Sequence, residues 1–192
     1  MFAYLEGALS YSSPSLVHLD IGGLGYEINI TLQTYVKIQH TEHCRLYIHL
    51  QVREDAWVLY GFANETERAT FRALLSISGV GAATARIILS SLTPSELEKA
   101  VSTESTHTLQ QVKGVGAKTA QRIILELKGK LAISGTESAA SLPLHNTVAD
   151  DALIALINLG IGRAAAVEAI KKTGLGEGAS VEALIKAALR AL

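Results

Sequence analysis

The chain has 192 residues, 48% of them hydrophobic, and a formal net charge of −1, so it can bury a real core and is long enough for two or three small domains. Its single cysteine, Cys44, excludes an internal disulfide and suits a reducing compartment, and no run approaches the ~18 apolar residues of a membrane span. No basic stretch with an apolar core opens the chain at Met1 to Glu6, so a cytoplasmic protein without membrane attachment is expected.

In chain order, Val17 to Ile21 and Tyr26 to Ile30 alternate apolar and polar residues, and Arg45 to Val52 is β-branched and aromatic, as short strands are. Gly22 to Gly25 permits a tight turn, and Arg53-Glu54-Asp55 is a polar break before the apolar run Ala56 to Tyr60. Residues 1–63 therefore predict an OB-like β-barrel of five or six strands. From Glu65 apolar residues recur every three or four positions, so residues 64–131 read as helical. A helix starts at Thr93-Pro94-Ser95-Glu96, with Thr93 as N-cap and Glu96 completing a capping box. Residues 132–146 are rich in Ser, Ala and Gly with one charge, the composition of a flexible linker, and residues 147–192 read as three short helices separated by glycines. The expected fold class is α+β and multidomain: barrel, central helical domain, linker and a small three-helix, UBA-like module.

The near-neutral net charge argues against nucleic acid only until it is resolved along the chain. Residues 72–130 hold eight basic side chains against four acidic ones, a balance of +4, whereas residues 1–63 hold three against six, a balance of −3.

The basic segment also contains an internal repeat. Gly79-Val80-Gly81-Ala-Ala83-Thr84-Ala-Arg86-Ile-Ile88 returns 35 residues later as Gly114-Val115-Gly116-Ala-Lys118-Thr119-Ala-Gln-Arg122-Ile123, with seven of ten positions identical. Apolar helical runs flank each copy, which predicts two helix-hairpin-helix motifs. A Gly-hydrophobe-Gly loop lets phosphate approach bare backbone N–H groups while the central valine plugs the core. The loop ends at a helix N-terminus, where free donors and the positive dipole end favour an anion. Lys118 and Arg122, one turn apart, add charge to the second copy. Ala83 leaves the first copy neutral at the matching place, with Arg86 as its candidate assisting cation. The DNA-binding set is Gly79, Val80, Gly81, Thr84, Gly114, Val115, Gly116, Lys118, Thr119 and Arg122. Such contacts read backbone rather than bases.

No catalytic constellation stands beside them. Gly116-Ala117-Lys118-Thr119 lacks the glycine directly before lysine and the leading strand of a nucleotide-binding loop. The acidic pairs Glu54-Asp55 and Asp150-Asp151 lie in different segments, and the six histidines are scattered without metal-ligand spacing, so neither enzyme nor cofactor is expected. On the residues alone, a general structure-specific DNA-binding adaptor for a repair nuclease or helicase is the second reading.

Met1 to Gly7, Gly22-Gly-Leu-Gly-Tyr26-Glu27, Val52-Arg-Glu-Asp-Ala56, Leu59-Tyr-Gly-Phe62, the tandem hairpins, the linker and the helical tail together resemble the Holliday-junction RuvA family along the whole chain. That resemblance implies a homotetramer, with two face-to-face tetramers as the alternative, that holds a four-way DNA junction open with hairpins on the arms. It implies Glu54 and Asp55 as an acidic pin at the junction centre, although by themselves they read as a polar turn. It implies recruitment of the hexameric motor RuvB by the tail, with the junction resolvase RuvC a further candidate partner. Leu156, Leu159, Ile161 and Leu189 are the candidate motor contacts, and by spacing alone they serve equally well as the tail's own core.

Overall fold

The computed structural model describes residues 2–138, 148–174 and 179–191, and these divide into two compact units, residues 1–136 and 137–192. In the first unit, β1 (Tyr4–Ser13), β2 (Leu16–Ile21), β3 (Leu24–Ile30), β4 (His43–Val52) and β5 (Trp57–Phe62) close a barrel in the order β1-β2-β3-β5-β4. All neighbours are antiparallel except β3 and β5, which pair in parallel through Ile28 with Leu59 and Ile30 with Gly61. The alternation seen in the sequence is the barrel's inside and outside: Val17, Leu19, Ile28, Ile30, Leu46 and Ile48 are at most 1% exposed. The barrel expected from the sequence is present, with five strands.

One element escaped the strand reading. Helix α1 (Leu32–Ile38) bridges β3 and β4, although its Thr, Tyr, Val and Ile content favours strands. Thr31 starts it by accepting the Thr34 N–H at 3.0 Å, and burial of Thr34 and Ile38 holds it down.

Helices α2 (Glu65–Leu75), α3 (Ala82–Ser91), α4 (Pro94–Ser102), α5 (Thr106–Gln110) and α6 (Ala117–Ser138) follow. The capping box read at Thr93 forms on both sides: Thr93 accepts the Glu96 N–H, and Glu96 accepts the Thr93 N–H at 2.8 Å. Helix α6 continues to Ser138, which corrects the start of the linker: 132–138 are helical, and 139–146 lie outside the described residues. Extending an existing helix needs no new nucleus, so a few Ser and Gly residues do not stop it where their composition suggested they would.

The barrel and the helices form one body because polar and aromatic groups lock them together. Glu67 of α2, 1% exposed, accepts hydrogen bonds from the hydroxyls of Thr31 and Thr34, the latter at 3.0 Å, and Thr34 in turn accepts the Ala63 N–H at 2.9 Å. Phe71 of α2 stacks against Tyr60 and Phe62 of β5 at centroid separations of 5.1 and 4.9 Å. Arg68 of α2 donates to the carbonyls of Ala3 at 2.5 Å and Ile48 at 3.2 Å.

His49 stands in this seam beside Tyr60 and Phe71, with its Nδ1 buried and lacking a hydrogen-bond partner. Burial, and then the charges of Arg72 and Arg68, push its pKa below the ordinary 6.5. The unfolded chain therefore binds a proton near pH 6.5 that the folded chain refuses. Stability is full above that pH and falls as pH drops towards the folded-state value. Urea denaturation should show wild type losing more stability between pH 7.5 and 5.5 than His49→Phe; equal losses would contradict this.

The second unit, described by itself, packs α7 (Val148–Asn158), α8 (Arg163–Thr173) and α9 (Val181–Ala191) around Leu156, Ala166, Ala169 and Ala188. Alanines at these contacts let three short helices approach closely. Among the described residues no helix is long and apolar enough to cross a membrane.

Candidate nucleic-acid interface

Each repeat copy folds as a hairpin between helices, α2 and α3 for the first, α5 and α6 for the second. The two turns have nearly the same geometry. Gly79 and Gly114 take φ of +89° and +87°, values an L side chain rarely adopts. Val80 donates its N–H to the Ile77 carbonyl at 3.0 Å, and Val115 donates to the Val112 carbonyl at 3.1 Å. Both valines are 5% exposed and sit in one shared core with Ile77, Ile88, Val112 and Ile123, so each plugs its hairpin as the repeat predicts.

Past the valines, Gly81 and Gly116 open the helices: their carbonyls accept the N–H groups of Ala85 and Ala120, both at 2.9 Å. A Cβ on either glycine would meet no atom within 4 Å, so the loop surface is open to a ligand. No side chain caps α3 at Gly81, and the first N–H groups of a helix lack intrahelical acceptors. Thr84 and Thr119 are half-buried in the first turns, while Ala83 and Lys118 are exposed at matching places. Both loops thus present their backbone openly at a helix N-terminus, and the exposed Lys118 lies in the first turn after the second.

The two arginines go where the sequence did not place them. Arg86, the candidate helper of the first hairpin, turns to the barrel, donating to Asn29 Oδ1 at 2.7 Å and to the Ser15 carbonyl at 3.3 Å. That corrects its assignment: a guanidinium held by two acceptors on β3 and the β1–β2 turn is a strut between domains. Arg122, assigned to the second hairpin, donates from Nη1 to the carbonyl of Ser78 at 3.0 Å, immediately before Gly79 of the first. Neither Asn29 nor Ser78 carries a signal that sequence reading could have used.

Glu54 and Asp55 are exposed in the turn joining β4 and β5, which the Arg53 N–H to Ala56 carbonyl bond closes at 2.9 Å. In the C-terminal unit the four candidate contacts separate. Leu156 is fully buried in the module's core and Ile161 is partly buried against it, whereas Leu159 and Leu189 are 64% and 45% exposed. Leu156 is therefore withdrawn as a surface contact, because a side chain with no accessible area cannot be offered to a partner. Ile154, 51% exposed and not singled out by spacing, joins the accessible apolar residues of this unit.

Paired Gly-hydrophobe-Gly hairpins on a common core, joined to a five-stranded OB-like barrel, define a tandem helix-hairpin-helix DNA-binding protein. Family models agree: residues 1–61 match the RuvA N terminal domain, 71–130 the SAM-like helix-hairpin-helix tandem, and 147–192 the RuvA C-terminal domain. A protein of Leptothrix cholodnii is 45% identical over 196 aligned positions, covering 100% of this chain and 99% of its own length. Proteins of Christiangramia forsetii (45% over 172 residues, 90% of this chain and 89% of theirs) and Bacteroides fragilis (43% over 178 residues, 88% and 89%) are similar too. All three are named Holliday junction branch migration complex subunit RuvA. The chain belongs to the RuvA family.

Proposed function

We propose that the chain binds four-way DNA junctions by their shape, as a cytoplasmic homotetramer that holds the arms open and recruits an ATP-driven hexameric motor of the RuvB type for branch migration. The observation that carries this is the matched pair of hairpins, two backbone anion cradles on one rigid core that can hold a duplex arm by its phosphates. The chain itself is non-catalytic in this reading: it supplies shape and grip, and the motor supplies ATP hydrolysis. The exposed Leu159 and Leu189 of the C-terminal unit, with the partly buried Ile161, are the motor-facing residues, and RuvC is a second partner on the same junction.

Selectivity for the junction comes from Glu54 and Asp55. Exposed carboxylates on a barrel turn repel phosphates that come close, so they disfavour continuous duplex and keep crossing strands apart. The test is a gel-shift competition at moderate salt between an immobile four-way junction and linear duplex of equal length, with wild type and Glu54→Gln/Asp55→Asn. Wild type should prefer the junction strongly, and the variant should gain duplex affinity so that the preference shrinks roughly tenfold, the scale of one or two screened charge contacts. Equal wild-type binding to both DNAs would demote the protein to a general DNA-binding adaptor.

A further inference from the structure

We infer that Arg122, a residue of the second motif's helix, completes the phosphate site of the first hairpin. The inference rests on the junction-binding reading above and assigns one of its cations to a different loop.

The first motif has no cation of its own at its cradle. Ala83 stands where Lys118 stands in the second copy, Ile87 stands where Arg122 does, and Arg86, the one basic residue between Gly79 and Ser91, is engaged by Asn29 and Ser15. Arg122 reaches across from α6. Its Nη1 donates to the Ser78 carbonyl at 3.0 Å, and a Cβ placed on Gly79 would find that same Nη1 as its nearest neighbour, 3.9 Å away. Glu126, one turn further along α6, faces the guanidinium's Nε at 4.0 Å and steadies the stem from behind. The side chain is still 44% exposed, and a guanidinium has five N–H donors, so the Ser78 bond leaves others to reach a phosphate seated on Gly79 to Gly81.

The consequence is a division of labour that the repeat conceals. Lys118 serves the second cradle, Arg122 the first, and each hairpin has one cation although both cations lie on α6. The Ser78 bond also makes Arg122 a brace, tying the loop of one hairpin to the helix of the other.

A double-mutant cycle on the full chain tests this, with junction affinity read by fluorescence anisotropy at about 0.1 M salt. Gly81→Leu and Gly116→Leu block the first and second cradles with an uncharged side chain, and thermal unfolding checks that each variant folds. Arg122→Ala should weaken wild type roughly fivefold to tenfold for each subunit engaged on the junction, the effect of one phosphate contact apiece at that salt. In the Gly81→Leu background it should then have less than a twofold effect, and in the Gly116→Leu background its full effect; Lys118→Ala should show the opposite pattern. Arg122→Gln, which keeps a polar side chain but carries no charge, should behave like Arg122→Ala. The inference is overturned if Arg122→Ala acts fully in the Gly81→Leu background, or if Arg122→Gln binds like wild type. If neither leucine variant weakens binding, the hairpins are not the interface and the junction-binding reading itself fails.

Discussion

Placing a carboxylate at both hairpin tips, Gly81→Glu together with Gly116→Glu, is expected to reduce junction affinity more than a hundredfold while leaving the fold intact. Both substitutions are sterically free: a Cβ at either position meets nothing within 4 Å, and neither residue has a positive φ. Neither should harm its helix, because a negative charge at the helix N-terminus interacts favourably with the macrodipole, by about 0.3–1 kcal/mol. The same charge occupies the place a phosphate would take and repels one that approaches; at ~4 Å and an effective dielectric near 20 that repulsion is about 4 kcal/mol. Anisotropy titration should therefore show binding lost, with a thermal midpoint equal to or above wild type. Binding within twofold of wild type would remove the hairpin tips from the interface.

Phe71→Ala is expected to destabilise the first unit by about 3–5 kcal/mol, the usual range for removing a fully buried phenylalanine. Phe71 has no exposed surface, and its ring packs against Tyr60, Phe62 and His49 at 5.1, 4.9 and 5.4 Å. A cavity there sits in the seam between barrel and hairpin helices, where it loosens both, and the rings around it cannot collapse inwards without leaving their strands. All six tyrosines lie within residues 1–63, so near-UV circular dichroism followed through a urea titration reports on the barrel unit in particular. A loss below about 1 kcal/mol would mean that the seam repacks and does not join the two parts as described.

What could be read in the sequence was local. The hairpins were legible because glycine, an apolar plug and glycine recur at one spacing, and both the positive φ at Gly79 and Gly114 and the burial of Val80 and Val115 follow from that short pattern. The capping box at Thr93 was legible for the same reason, as both partners lie within four residues. What stayed hidden depends on contacts across long separations. Arg122 and Ser78 are 44 residues apart and Arg86 and Asn29 are 57 apart, and a repeat aligned against itself assigns each arginine to its own copy. Helix α1 was hidden by strand-prone residues that burial and the Thr31 cap override, and Leu156 by the fact that core and contact leucines share one spacing.

The salt dependence of junction binding tests the grip most directly. In the proposed homotetramer, four subunits with two hairpins each, every hairpin neutralising about one phosphate, should give a slope of log affinity against log salt near −7, taking ~0.9 per phosphate. A slope near −7 that falls to about half in Gly116→Leu is the expected result, because that variant leaves only the first cradle of each subunit. A wild-type slope near −2 would contradict it and leave no room for a tetramer holding the junction by all of its hairpins.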